Sequence, residues 1–341
     1  MNYLSEILEQ GEALLQLTHN YGNHYDPLEK LEELGKKYNY FIFTGMGSSL
    51  FSGYIACDYL CKYNIRCQAV ESNELGKKVK TSLDDKTLII AISQSGESPE
   101  VIDLCKRIEH QEQLVVVTNN VESELYHFGI LQLELFAGEE KATASKTYTN
   151  TIAAMIYIAS ALSGKLQDMK GNISRNLIQC AGEMEKLFED KEKITQMSDF
   201  MEACPYICIV GSGASYCSAS HGQLVIEEAG KMFSTRYTTG QFIHGPIELI
   251  RDDFTVFIFD HDSRFSVEVD RIINNVDEYG GRVCLITNRD IAGRERVFVY
   301  KTDIHMPLYA PLAEIIPLEL MIYEIGIRKG SHPGIIHRVK K

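Results

Sequence analysis

No apolar run in this 341-residue chain is long enough to cross a membrane. The longest stretches, such as Thr151–Leu162, stop well short of the roughly 20 residues that a spanning helix needs. The opening Met1-Asn2-Tyr3-Leu4-Ser5-Glu6 has no basic segment followed by an apolar stretch, so no secretory signal is expected and the sequence points to the cytoplasm. Positive charge is also scarce: Lys and Arg number 34 against 47 Asp and Glu, for a net charge of −13. No basic stripe is present, which argues against a nucleic-acid binder. An anionic ligand would have to be held by backbone amides and hydroxyls against an unfavourable overall field.

Nine cysteines, an odd number scattered through a long chain, do not make a disulfide framework. Cys57 and Cys61 are four apart, as are Cys204 and Cys208, but neither pair has a His cluster beside it to complete a zinc site. Reduced thiols in packed interiors are expected. With no ligand cluster and no dinucleotide fingerprint, neither a metal nor an organic cofactor is implied.

The organising feature is an internal repeat. Tyr40-Phe41-Ile42-Phe43-Thr44-Gly45-Met46-Gly47-Ser48-Ser49 is echoed by Tyr206-Ile207-Cys208-Ile209-Val210-Gly211-Ser212-Gly213-Ala214-Ser215. Leu114–Asn119 is matched at nearly the same offset by Val283–Asn288, and each half ends in a long apolar helix, 149–162 and 312–327. Strands are predicted near 40–44, 66–71, 87–92, 113–118 and 130–135, and again near 206–210, 234–238, 254–259, 282–287 and 297–301. Continuous rather than alternating apolar strands imply burial on both faces, hence a mainly parallel sheet between helical layers. The fold class is α/β with two tandem three-layer αβα domains, 1–170 and 171–341, joined by a charged helical stretch over about 172–201. Ligands of such sheets sit beyond the carboxyl ends of the strands.

The segment Ser93-Gln94-Ser95-Gly96-Glu97-Ser98-Pro99-Glu100 follows the strand 87–92. Ser98 is suited to cap the next helix and Pro99 to its first position, while Gly96 permits a tight turn. Free amides at a helix N-terminus, flanked by three serine hydroxyls, form a phosphate cradle without lysine. Ser48 and Ser49, at the end of the neighbouring strand, would face the same ligand.

Gly45-Met46-Gly47-Ser48-Ser49 and Ser93-Gln94-Ser95-Gly96-Glu97-Ser98 resemble the two turns of sugar isomerase (SIS) domains, whose ordered sheet is flavodoxin-like. The tandem layout is similar to the isomerase half of glucosamine-6-phosphate synthase and to the fructosamine-6-phosphate deglycases, over nearly the whole chain. The resemblance implies phosphate held by Ser93, Gln94, Ser95 and Ser98, with Gly47, Ser48 and Ser49 at phosphate or sugar hydroxyls. Ala142-Thr143-Ala144-Ser145-Lys146 looks like the stretch that lines the sugar, through Ala142, Ala144 and Ser145. In the second half, Asp260-His261-Asp262-Ser263-Arg264 stands where a phosphate turn should be, and its acidic side chains would repel phosphate. One sugar phosphate per chain is expected.

Moving a carbonyl between C1 and C2 of a sugar needs a base, and ring opening needs a proton shuttle; a carboxylate and a histidine suit these tasks. By the resemblance, Glu228 falls on the enediol base, His244 on the ring-opening histidine, and Lys341 on a Schiff-base lysine. The implied working unit is a homodimer in which His244 completes the neighbouring chain's site. Val225 and His221 depart from the synthase, which has lysine and glutamate there, and no glutaminase segment with a Cys after the initiator precedes the repeat. The reading is a deglycase or deaminase acting on a ketosamine or aminosugar 6-phosphate, releasing amine or ammonia and a hexose phosphate. Its rivals are an aldose–ketose phosphosugar isomerase or synthase-like isomerase, and a non-catalytic sugar-phosphate regulator.

Overall fold

Ten apolar segments form ten strands, and every pairing between them is parallel. The computed structural model describes residues 2–23, 25–202 and 204–335, the side chains of 79–82 excepted. Three helices, α1 (Tyr3–Leu8), α2 (Gln10–Gly22) and α3 (Asp26–Lys37), precede a first alternation of strands and helices. This comprises β1 (Tyr40–Gly45), α4 (Gly47–Cys61), β2 (Arg66–Glu71), α5 (Ser72–Ser82), β3 (Thr87–Ile92), α6 (Pro99–Arg107), β4 (Leu114–Thr118) and β5 (Leu131–Glu134). Next come α7 (Lys146–Leu162), α8 (Leu166–Glu189) and α9 (Lys191–Met201). The second alternation is β6 (Tyr206–Val210), α10 (Ser215–Glu228), β7 (Ser234–Tyr237), α11 (Thr239–Ile243), β8 (Phe254–Asp260), α12 (Ser266–Glu278), β9 (Arg282–Thr287) and β10 (Val297–Lys301). It closes with α13 (Ala310–Ala313) and α14 (Ile316–Arg328).

The strand orders are β2-β1-β3-β4-β5 and β10-β9-β8-β6-β7, the same order once each strand is matched to its counterpart. Parallel neighbours require crossover connections, which the intervening helices supply. The central strands β3 and β8 are buried along their whole length, whereas the outermost β2 has no fully buried residue and β5 alternates. Each fully buried Val, Leu or Ile contributes roughly 1.5–3 kcal/mol relative to exposure, more than a typical helix cap at about 1 kcal/mol. Burial of the central strands therefore outweighs end effects in fixing the sheets.

The described residues form two compact units. The amino-terminal unit holds 9–140 and 144–181, and the carboxy-terminal unit holds 2–8, 141–143 and 182–335. The division is not the single point near residue 170 that the repeat suggests. Glu6, fully buried, accepts the N–H groups of Lys141 (2.8 Å) and Ala142 (3.0 Å), and the Thr143 N–H donates to the Gly334 carbonyl (3.0 Å). These bonds tie residues 141–143 to the first helix and to Gly334, within the carboxy-terminal unit.

In the amino-terminal unit, Ile42, Ile89, Ala91 and Val116 of the sheet pack with Leu104 and Cys105 of α6. Every residue of α7 is buried, and Asn150 Nδ2 donates to the carbonyls of Ala13 (2.9 Å) and Leu135 (2.8 Å). In the carboxy-terminal unit, Val210, Val256 and Ile258 pack with Ile272 and Val276 of α12 and Phe242 of α11. Two expected helices are each divided. The apolar run over 312–327 breaks between α13 and α14, where Pro317 cannot donate a backbone hydrogen bond and sits in the first turn of α14. The charged stretch over 172–201 breaks at Asp190, between α8 and α9.

Candidate active site

In the amino-terminal unit β1 and β3 are neighbours, paired from Tyr40↔Thr87 to Thr44↔Ala91, so their carboxyl ends open side by side. The turn after β1 is tight. A Cβ on Gly45 would come 2.7 Å from the Ile92 carbonyl oxygen, and Gly47 has φ +50°. Ser48 and Ser49 fall in the first turn of α4, where the Ser49 N–H donates to the Met46 carbonyl (3.1 Å).

The loop after β3 is fastened through its carbonyls. The Asn119 N–H donates to Gln94 (3.1 Å), and the Leu125 N–H donates to Gly96 (3.2 Å). The Gly96 N–H donates back to the Ser93 carbonyl (3.1 Å), and Ser93 itself donates to Val117 of β4 (3.0 Å). Gly96 has φ +66°, and a Cβ there would lie 1.9 Å from Ser123 Oγ. No other residue type fits that turn. With the carbonyls of Ser93, Gln94, Gly96 and Ser98 engaged, the backbone N–H groups of Gln94, Ser95 and Ser98 have no acceptor among the described residues.

The expectation that the Ser98 hydroxyl caps α6 is corrected. Ser98 occupies the N-cap position and Pro99 the first turn, but the hydroxyl lies 3.0 Å from Ser93 Oγ and makes no cap bond. The amides at this helix start are thereby left for an outside acceptor. Beside them is a cavity of about 810 Å³ lined by Gln94, Ser95, Glu97, Ser98, Asn119 and Glu140, among others. Thus Gly47, Ser48 and Ser49 on one turn, and Ser93, Gln94, Ser95 and Ser98 on the next, all lie at the carboxyl edge of adjacent strands.

Two residues of this region escaped the sequence reading. Glu140 takes the N–H (2.9 Å) and hydroxyl (3.2 Å) of Ser145, the Thr147 N–H (3.2 Å) and the Thr147 hydroxyl. It acts as the anion at the start of α7, so both donors of Ser145 are turned to Glu140. An acid shortly before a Ser-x-Thr helix start was the available signal. Asn119 gives its amide to the Gly138 carbonyl (2.7 Å) and accepts the Ala137 N–H (2.8 Å). Its signal was the repeat itself, because Asn288 likewise donates to the Ile304 carbonyl (2.6 Å). Ala144 is half-buried; Ala142 is tied to Glu6 in the carboxy-terminal unit.

In the carboxy-terminal unit Glu228 is the last residue of α10 and is half-buried. Its carbonyl receives the Lys231 ammonium, which also donates to the Ile335 carbonyl (2.9 Å). The adjacent Glu227 is engaged elsewhere, accepting from Gln223 Nε2 (2.8 Å) and Ser234 Oγ (3.4 Å). His244 follows α11 and is exposed, and its ring has no hydrogen-bond partner among the described residues. The short helix before it is well fixed. Thr238 Oγ1 accepts the Gln241 N–H (3.2 Å), Ser212 Oγ accepts the Thr239 N–H (3.0 Å), and Phe242 is fully buried. Val225 and His221 are both fully buried, with His221 Nε2 3.5 Å from Glu319 Oε1. Lys341 lies outside the described residues.

The turn after β8 is filled by its own side chains. Asp262 accepts the Arg264 N–H (3.1 Å) and pairs with its guanidinium, and Asp260 accepts from Arg289 Nε (2.6 Å) and Thr287 Oγ1 (3.1 Å). A Cβ on Gly213 would meet Asp262 Oδ2 at 2.9 Å, and Ser215 Oγ donates to the buried Glu314 (3.0 Å). Among the described residues, no group of three or more His, Cys, Asp or Glu is placed to hold a metal ion, and no helix is long and apolar enough to cross a membrane.

Comparison with known proteins agrees with the duplicated architecture. The family described as SIS domain matches residues 37–162 and 201–323. A glutamine–fructose-6-phosphate aminotransferase (isomerizing) of Thermococcus kodakarensis is 24% identical over 340 residues, covering 97% of this chain and 56% of the relative. The chain therefore spans little more than half the length of that relative. Among solved structures, the C-terminal domain of glucosamine-fructose-6-phosphate aminotransferase from Francisella tularensis superposes with TM-score 0.87 at 21% identity, covering 97% of both chains. A glucosamine-6-phosphate deaminase from Thermotoga maritima superposes with TM-score 0.77 at 19% identity, covering 99% of this chain and 98% of that one.

Proposed function

We infer a function from one premise, that the chain belongs to the SIS domain family, together with the chemistry of its turns. The reading is a phosphosugar deglycase or deaminase that acts on a ketosamine or aminosugar 6-phosphate. The observation that carries it is the loop 93–98, with the carbonyls of Ser93, Gln94, Gly96 and Ser98 engaged and the amides of Gln94, Ser95 and Ser98 left without acceptors among the described residues, beside a cavity. A phosphate dianion satisfies such donors without a lysine.

Glu228 is assigned the proton transfer and His244 the ring opening. With a ketosamine, a base removes a proton from C1 to give an enaminol and returns a proton to C2. The resulting C1 imine is hydrolysed by water to a free amine and an aldose 6-phosphate. With a 2-amino sugar the proton moves from C2 to C1, and hydrolysis of the C2 imine releases ammonia and a ketose 6-phosphate. Both directions use the same base, and neither consumes an oxidant or reductant. The names of the aminotransferase and deaminase relatives fit carbonyl and amine chemistry at these two carbons.

The test is to incubate the protein with a panel of 6-phosphorylated sugar amines and to assay free amine and hexose phosphate together. Stoichiometric release of both supports the reading. Interconversion of aldose and ketose phosphates with no amine released from any panel member would replace it with a plain isomerase. Phosphosugar binding with no turnover would replace it with a sensor.

Assembly as a homodimer in which His244 serves the neighbouring chain's site belongs to the same proposal. Mixing Glu228→Gln chains with His244→Ala chains should restore part of the activity. Exchange of subunits without recovery would place both residues in one chain's own site.

A further inference from the structure

The nine cysteines divide into two groups. Cys105, Cys180, Cys204, Cys208, Cys217 and Cys284 are buried, as expected of thiols that pack as small apolar groups. Cys57 and Cys67 are only partly buried, and Cys61 is exposed, which corrects the expectation of packed interiors for all nine. These three lie together in the amino-terminal unit. Cys57 and Cys61 are one turn apart near the end of α4, so they share a helix face. Cys67 is the second residue of β2, the outermost strand of its sheet, and its thiol lies 3.9 Å from the Cys57 carbonyl oxygen. Both helix thiols are near enough to influence its ionisation.

Packing alone does not account for the cluster, because Cys61 is exposed. The arrangement sets Cys67 of the edge strand beside two cysteines of α4. The Cys57 thiol, and then the Cys61 thiol, hold Cys67 down to about 7, against the opposing effect of burial. Cys57 is pushed far above the ordinary thiol range, chiefly by its contact with Cys67 and then by burial. Within the cluster, Cys67 is the thiol favoured as the thiolate.

We propose that Cys67, with Cys57 and Cys61, is an oxidation site, at which peroxide converts Cys67 to a sulfenic acid and a cysteine of α4 closes an intrachain disulfide onto it. The Cys67 thiolate attacks one oxygen of hydrogen peroxide; the O–O bond breaks, and the departing hydroxide takes up a proton to leave as water. The thiol of Cys57 or Cys61 then attacks the Cys67 sulfur, and the hydroxyl departs as a second water with the attacking thiol's proton. Two thiols and one peroxide give one disulfide and two waters, the thiols being oxidised by two electrons and the peroxide reduced by two. The bond ties α4 to the edge strand at the opposite end of the helix from Ser48 and Ser49.

The test treats the full chain with one equivalent of hydrogen peroxide, blocks the remaining thiols by alkylation, and maps the peptides. The expected product is a disulfide from Cys67 to Cys57 or Cys61, with the six buried cysteines alkylated in full only after unfolding. In a Cys57→Ser/Cys61→Ser chain, Cys67 should stop at the sulfenic acid and be trapped by a dione reagent. In a Cys67→Ser chain, Cys57 and Cys61 should remain reduced at the same peroxide dose. Oxidation first at a buried cysteine, a disulfide between chains, or a Cys67→Ser chain that oxidises as fast as its parent would overturn the proposal.

Discussion

The two sheets present the same turn at the same place and use it in opposite ways. After β3 the carbonyls of Ser93, Gln94, Gly96 and Ser98 are engaged and the amides of Gln94, Ser95 and Ser98 have no acceptor among the described residues, in a loop that also carries Glu97. After β8 the matching turn supplies an anion of its own. Asp262 takes the Arg264 N–H, and Asp260 is drawn to Arg289 and Thr287. A carboxylate anchored there stands where a phosphate would, and it cannot dissociate. Duplication has thus kept the scaffold and changed the turn. One copy leaves backbone donors open, while the other closes its turn and, on the proposed reading, carries the proton-transfer residues Glu228 and His244.

The largest expected effect tests the half with the filled turn. Glu228→Gln keeps the shape of the side chain and removes the base, so kcat should fall by a factor on the order of a hundred or more while sugar-phosphate binding persists. Steady-state kinetics beside a binding titration make the check, and a loss of only a few-fold would remove Glu228 from the chemistry. Next in size is the contrast between the serines. Ser95→Ala with Ser98→Ala should weaken phosphosugar binding by roughly ten- to a hundredfold, given about 1.5–3 kcal/mol for a hydrogen bond to a charged group. Ser212→Ala with Ser215→Ala should leave that affinity in place and lower stability instead, because the buried Glu314 loses a donor. Calorimetric titration and thermal melts on both double variants would decide, and equal losses of affinity would mean that both copies bind phosphate.

The smallest effect compares two glycines. Gly96 and Gly213 have φ +66° and +60°, so alanine at either is strained by about 1–2 kcal/mol. A Cβ at Gly96 also drives into Ser123 Oγ at 1.9 Å, whereas at Gly213 the nearest atom is Asp262 Oδ2 at 2.9 Å, the end of a side chain. Gly96→Ala should therefore destabilise more in denaturant titrations and should also disturb the phosphate loop. A larger loss for Gly213→Ala would show that the filled turn is the more rigid one.

Most of the fold was legible because strands buried on both faces leave an uninterrupted apolar record. The segments at 66–71, 87–92, 206–210, 282–287 and 297–301 formed strands with those bounds, and the others differ by at most one residue at an end. The parallel order within each sheet followed from the alternation with helices. Helix breaks were less legible. The interruption before Pro317 lies inside an apolar run, and the one at Asp190 lies inside a charged run, so neither changes the local composition. At the site, the glycine and serine turns could be read because backbone conformation and donor chemistry both restrict residue choice. Partners at long sequence range could not. The Ser93–Ser98 hydroxyl pair replaces the expected cap, and Glu6 reaches residues 141 and 142 across most of a domain. The thiol cluster was half visible, since the i, i+4 pair could be counted but Cys67 on the adjoining strand could not be placed.

On the proposed reading, the composition of the cavity wall sets how phosphosugar binding responds to ionic strength. Among the described residues, four carboxylates, Glu97, Glu100, Glu139 and Glu140, line it, and no Lys or Arg does. The formal charge of the whole chain is −13. A phosphate clamped by lysine or arginine loosens as salt is added, because the ions screen an attraction. Here the holding forces are short-range amide and hydroxyl dipoles, while the long-range field repels. Screening over a Debye length of about 10 Å at 0.1 M salt weakens the repulsion and leaves the dipoles largely untouched. Moderate salt, of an anion too large for the loop, therefore assists the ligand, and the cradle discriminates by geometry rather than by charge.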